Sequence, residues 1–142
     1  MTNNSNQVGG THYARQKIDP FTFAMANRWD PMMFSVLKYL SRYPTKGSPV
    51  EDLKKAAHIT RYRAEFPGLK GLSTNIEMST YIDQNNFVGG QAYLLTLLDE
   101  AELQLYEFDG IRPQPRDALE RLARAIEAEI EMVYDYLHPR VD

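Results

Sequence analysis

Residues 31–63, PMMFSVLKYLSRYPTKGSPVEDLKKAAHITRYR, decide the fold. Met33, Val36, Leu37 and Leu40 recur at spacings of 3, 1 and 3, the apolar stripe of an amphipathic helix. Asp30-Pro31 is a helix start, because Asp caps free N–H groups and proline at the first helical position lacks one of them anyway. Pro44 disfavours helical backbone at the residue before it, so the helix should stop near Tyr43. Ser48-Pro49-Val50-Glu51 opens a second helix, with Ser48 and Glu51 spaced as a capping box. Leu53, Ala57, Thr60 and Ala64 line one face of it, and the small alanines imply close approach to a neighbouring helix. Two helices joined by a short basic turn are expected.

The same signals extend outward. Residues 1–8 are polar and read as a flexible arm, followed by a turn at Gly9-Gly10. Asp19-Pro20 starts a short helix with Phe21, Phe23 and Ala24. Phe66-Pro67-Gly68 ends the helix of the quoted stretch, residues 69–74 read as loop, and residues 75–86 as a short helix. Beyond a break at Gly89-Gly90, Leu94, Leu98, Ala101, Leu105 and Phe108 step by 4, 3, 4 and 3 to a stop at Asp109-Gly110. Leu119, Leu122, Ile126, Ile130, Val133 and Leu137 mark a long last helix. No period-2 strand pattern occurs. The expected architecture is mainly α: one helical domain over residues 1–142, with a helical core at 9–65, two long C-terminal helices, and a bundle or oligomerisation half at 72–142.

Composition narrows the chemistry. The chain has 142 residues, enough for one core without staples. It has no cysteine, which removes disulfides, thiol nucleophiles and cysteinyl metal sites. No apolar run approaches the roughly 18 residues of a membrane span, so no membrane is expected. Residues 1–71 hold 11 Lys/Arg against 5 Asp/Glu, a net of +6; residues 72–142 hold 5 against 14, a net of −9. Long nucleic acid would be repelled by the acidic half. A small anion, or a homo-oligomer pairing basic with acidic surfaces, suits the asymmetry better.

Ser35, Lys38 and Arg42 form a polar stripe beside the apolar one, and Lys54, His58 and Arg61 do so on the next helix. If the two apolar faces pack together, Lys38, Arg42 and Lys46 can reach one phosphate, Arg with paired N–H bonds and Lys as a compact charge. Equally, such cations commonly just reach water with their stems on the core edge. His12 suits a general acid/base or a phosphate contact, or simply anchors the arm. Tyr13 and Trp29 suit base stacking or the edge of a core. Asp52 suits a divalent ion, or an ion pair with its lysine neighbours. The acidic stripes Asp99, Glu100, Glu102, Glu107 and Glu120, Glu127, Glu131 suit a magnesium site between helices, or a solvated surface. No GxxxxGK[ST] phosphate loop, HExxH or GxSxG is present.

GGTHY at residues 9–13, Ile18, Pro20, Asn27, Lys38-Tyr39 with Arg42, Lys46-Gly47 and EDLKKA at 51–56 resemble a phage-encoded domain family long listed as of unknown function. The order and approximate spacings agree over residues 9–65. One branch of that family is described as an unconventional phage nucleotide kinase acting on deoxynucleoside monophosphates. The resemblance implies phosphoryl transfer, or nucleotide binding without turnover, in the cytoplasm of an infected bacterium. On it, Lys38, Arg42 and Lys46 would neutralise phosphate charge and His12 would orient or deprotonate the acceptor. Tyr13, Ser35, Lys54 and His58 would complete the nucleotide site, with ATP as donor and Mg2+ shared with Asp52. Phe34 and Ser35 stand where relatives tend to carry Gly-Asn, and Ile59 where a tyrosine is common. Without the resemblance, a structural or partner-binding helical protein remains a third reading.

Overall fold

Asp30 does what its position before Pro31 predicts. Its Oδ1 accepts from the N–H groups of Met32 and Met33, each at 2.9 Å, and α2 (Pro31–Arg42) begins there. Asp19 caps α1 (Pro20–Asn27) in the same way through Thr22, at 2.8 Å. The computed structural model describes residues 17–45, 47–65, 76–107 and 116–140. Among these, six helices and no strand occur, the remaining four being α3 (Pro49–Ala64), α4 (Met78–Gln84), α5 (Gly89–Glu107) and α6 (Arg116–Leu137). The expected arm, the loop at 69–74 and the stop at Asp109-Gly110 lie outside the described residues, as do His12, Tyr13 and Lys46.

The expected apolar stripe of α2 is fully buried at Met33, Val36, Leu37 and Leu40. Helix α3 packs between α2 and α6, using Leu53, Ala56, Ala57, Thr60 and Ala64. The alanines allow that double packing, since a bulky residue would hold one neighbour off. One continuous apolar core runs from Ile18 to Ile126, so the basic and acidic parts of the chain share it. Two asparagines tie distant segments into this core. Asn27 pairs its amide with both backbone polar groups of Ile76 (2.9 and 2.8 Å), and Asn85 does the same with Ile18 (2.9 and 3.2 Å). Gln91 of α5 donates to the carbonyls of Leu40 and Ser41, satisfying acceptors at the end of α2.

Three local expectations change. The capping box at Ser48 does not form: Ser48 sits at φ −135°, ψ 59°, outside the extended region that aims a cap hydroxyl, and makes no side-chain cap bond. Gly89-Gly90 starts α5 rather than merely breaking the chain; Gly89 has φ +60°, and a Cβ on Gly90 would overlap the Glu129 carboxylate, its Cδ at 2.8 Å. Lastly, the apolar stripe of α6 outruns its cover. Leu119, Leu122 and Ile126 are buried and Ile130 and Val133 partly so, whereas Leu137 is exposed.

Candidate functional site

The α2–α3 hairpin is antiparallel, and each helix sends an arginine near its end to an aspartate near the start of the other. Arg63 Nε of α3 donates to Asp30 Oδ2 at 3.2 Å, and Arg42 Nη2 of α2 donates to Asp52 Oδ1 at 3.3 Å. Aspartate at a helix start and arginine at a helix end both match the helix dipole. The two ends differ in how completely they are satisfied. Asp30 uses its second oxygen to cap α2, whereas Asp52 Oδ2 is buried and has no hydrogen-bond partner among the described residues. The Asp52 side chain is only 2% exposed, so this is an expensive arrangement for a purely structural ion pair.

Around Arg42 the other cations gather on one ring. The Arg42 guanidinium lies 4.8 Å from the Tyr39 ring centroid, Lys38 Nζ 4.7 Å, and Lys55 Nζ, arriving from α3, 5.6 Å. The negative face of an aromatic ring favours such placement by about 0.5–1 kcal/mol per cation at exposed sites. Distances of 4.7 and 5.6 Å from one centroid leave Lys38 and Lys55 at most about 10 Å apart. At that separation two positive charges repel by about 0.4–1.7 kcal/mol, depending on the local dielectric. Asp52 neutralises one of the three cations; neither lysine has a carboxylate partner among the described residues. Among the described residues, the two lysines thus bring positive charge without a carboxylate to a partly buried aromatic ring.

Of the residues expected from sequence, Lys38 and Arg42 come together here. Ser35 is on the same face of α2, its hydroxyl donating to the Pro31 carbonyl at 2.9 Å, which leaves its oxygen able to accept. Lys54 and His58 are exposed and separate from the cluster: Lys54 pairs with Glu51 at 3.9 Å, and Arg61 on the same stripe pairs with Glu127 of α6. Glu127 also raises the Arg61 pKa, first by that hydrogen bond and then by its charge. The stripe 54–58–61 borders α6, while Lys55, one residue on and a quarter-turn round, borders α2. Lys55 and Tyr39 are the members that sequence reasoning missed. Trp29 packs edge-to-face on Phe23 at 5.3 Å, against the core.

Asp52 does not fit a resident magnesium ion. Its one accessible role is the Arg42 pair, its other oxygen is enclosed, and the adjacent guanidinium would repel a divalent cation. No group of three or more His, Asp or Glu among the described residues could hold a metal, and that includes the described carboxylates of the stripes on α5 and α6. Glu100 instead pairs with Arg121 at 3.6 Å, and Glu102 is buried. A separate cleft of about 370 Å³ between α4 and α5 is acidic, lined by Glu77, Asp83, Tyr93, Thr96 and Asp99. Burial, then the charges of Glu77 and Glu100, raise the Asp99 carboxyl above its ordinary value. That cleft has the wrong sign for an anion. No helix among the described residues is long and apolar enough to cross a membrane.

Residues 7–61 match the family model DUF3310, described as a protein of unknown function. The matched segment spans α1, α2 and most of α3, and every member of the Tyr39 cluster falls in it: Lys38, Tyr39, Arg42, Asp52 and Lys55. The DUF3310 match ends before Arg63, so the fully satisfied Arg–Asp pair is only half inside it. No curated protein and no solved structure matches the chain.

Proposed function

We propose that the protein binds a small phosphorylated anion, a nucleotide, on the outer face of α2. The observation that carries this reading is the gathering of Lys38, Arg42 and Lys55 from two helices around Tyr39, with Asp52 the carboxylate that meets them among the described residues. Asp52 fixes Arg42 in place, so the guanidinium need not be ordered when the ligand arrives. Lys38 and Lys55 supply point charges, and Ser35 an acceptor. Each charge-assisted bond to phosphate is worth about 1.5–3 kcal/mol.

Turnover is the further step of the same proposal. In it an oxygen of a deoxynucleoside monophosphate attacks the γ-phosphorus of ATP, ADP leaves, and the acceptor becomes a diphosphate. The cations of α2 and α3 would act by positioning and by stabilising charge. The support for this step is the resemblance to the phage nucleotide kinase branch, from which the roles of His12, Tyr13 and Lys46 also come. Incubation with ATP, magnesium and each of the four deoxynucleoside monophosphates should yield the corresponding diphosphate. Calorimetric binding without any diphosphate would reduce the function to nucleotide capture.

A partner-binding role is favoured by one separate observation. The outer end of α6 exposes Met132, Tyr134, Tyr136 and Leu137, with Tyr136 85% exposed. A second copy of the chain would bury this apolar end, and sedimentation equilibrium would register a dimer that Y136E dissociates.

A further inference from the structure

Phe21 is 52% exposed at the start of α1, and its ring packs on Phe34 of α2 with centroids 5.0 Å apart and planes at 42°. Phe23, two residues on, is instead fully buried and in contact with buried Tyr81 at 4.6 Å. The pair thus joins a half-exposed ring, Phe21, to a partly buried one, Phe34, that also packs on the core. Its location matters more than its exposure. Phe34 lies one helical turn before Lys38 and two before Arg42, about 6 and 12 Å along the axis of α2. Phe34 and Tyr39 sit on the two margins of the outer face of α2, and Lys38 and Arg42 lie between them. Met25, one turn beyond Phe21 in α1, is 79% exposed.

We infer that Phe21 and Phe34 seat the nucleobase of the nucleotide whose phosphate the Tyr39 cations hold. The inference rests on the anion-site reading above and adds to it a second subsite, which divides the ligand into a flat apolar end and a charged end. Charge complementarity selects this occupant. Aromatic rings beside unbalanced cations suit a molecule with a π-face at one end and a dianion at the other, separated by a sugar. Base–aromatic stacking tolerates every base, so this subsite contributes affinity without choosing among purines and pyrimidines.

The test compares two probes on the full chain by calorimetry: a deoxynucleoside monophosphate, with each of the four bases in turn, and 2-deoxyribose 5-phosphate. Phe21→Ala, at an exposed position, and Phe34→Leu, which retains apolar bulk, should each weaken the nucleotides about tenfold and leave the sugar phosphate unchanged. Lys55→Ala should weaken both probes alike. If wild type binds the sugar phosphate as tightly as the nucleotides, or if the phenylalanine variants weaken both probes equally, the base subsite is wrong while the anion site stands. If F21A alters only the sedimentation mass, the patch is an interface between copies and the inference is overturned. If wild type binds neither probe, the anion site fails and the base subsite with it.

Discussion

The two ends of the α2–α3 hairpin use the same pair of residue types to opposite effect. At the Asp30–Arg63 end every strong polar group has a job: one carboxylate oxygen caps α2 twice, and the other holds an arginine whose side chain is 3% exposed. At the Asp52–Arg42 end the arginine is 12% exposed, one carboxylate oxygen is enclosed with no partner among the described residues, and two further lysines crowd the same tyrosine. The first end is a lock. The second also ties α2 to α3 but at a local cost, and a surplus cost of that kind is what the proposed anion site would ask of the fold around it. On the proposed function, the same hairpin separates stability from binding along its length.

Substitutions at the two ends should separate them in the laboratory. Asp30→Ala removes the cap of α2 and one half of the buried ion pair with Arg63, so it should cost about 3–5 kcal/mol in urea unfolding, the largest of these effects. Replacing the other pair outright, with Arg42→Met and Asp52→Leu together, should leave stability within about 1 kcal/mol of wild type, because a buried ion pair often exchanges for apolar packing at little cost. The same double variant should lose 10- to 100-fold in nucleotide affinity, measured by calorimetry. Equal destabilisation at both ends would erase the contrast. Lys55→Ala touches only an exposed side chain, so it should change stability by less than about 0.5 kcal/mol and affinity by about tenfold, with a shallower salt dependence of binding.

The smallest effect tests the acidic side of the molecule. Asp99 has a raised carboxyl pKa in the folded state, so folding favours its protonated form and its ionisation at neutral pH works against the fold. Asp99→Asn should therefore raise the melting temperature modestly at neutral pH. The gain should shrink as pH falls through the titration of this group, where the wild-type carboxyl takes up its proton. A gain that persists unchanged in acid would assign the effect to packing instead.

Much of this fold was legible because its signals are local. Asp19-Pro20 and Asp30-Pro31 act through bonds two or three residues long, and the α2 stripe needs only helical periodicity. What could not be read depends on partners distant in sequence. Choosing Lys55 over Lys54 needs the rotational phase of α3 against α2, which Leu53 and Ala57 alone do not fix to a quarter-turn. Asp52, beside two lysines in the sequence, takes its arginine from the preceding helix instead. In α5, Leu95 and Leu97 are buried outside the expected stripe because α2, α4 and α6 all pack on that helix. Ser48 had the right neighbours for a capping box and the wrong backbone angles. The partner of each clustered cation was thus harder to foresee than the cation itself.

A crystal structure of the protein with a deoxynucleoside monophosphate would test the central claim most directly. Phosphate oxygens should lie within hydrogen-bond distance of Arg42 and at least one of Lys38 and Lys55, with the Arg42–Asp52 contact retained. A nucleotide seated elsewhere, with those three cations facing only water, would contradict it.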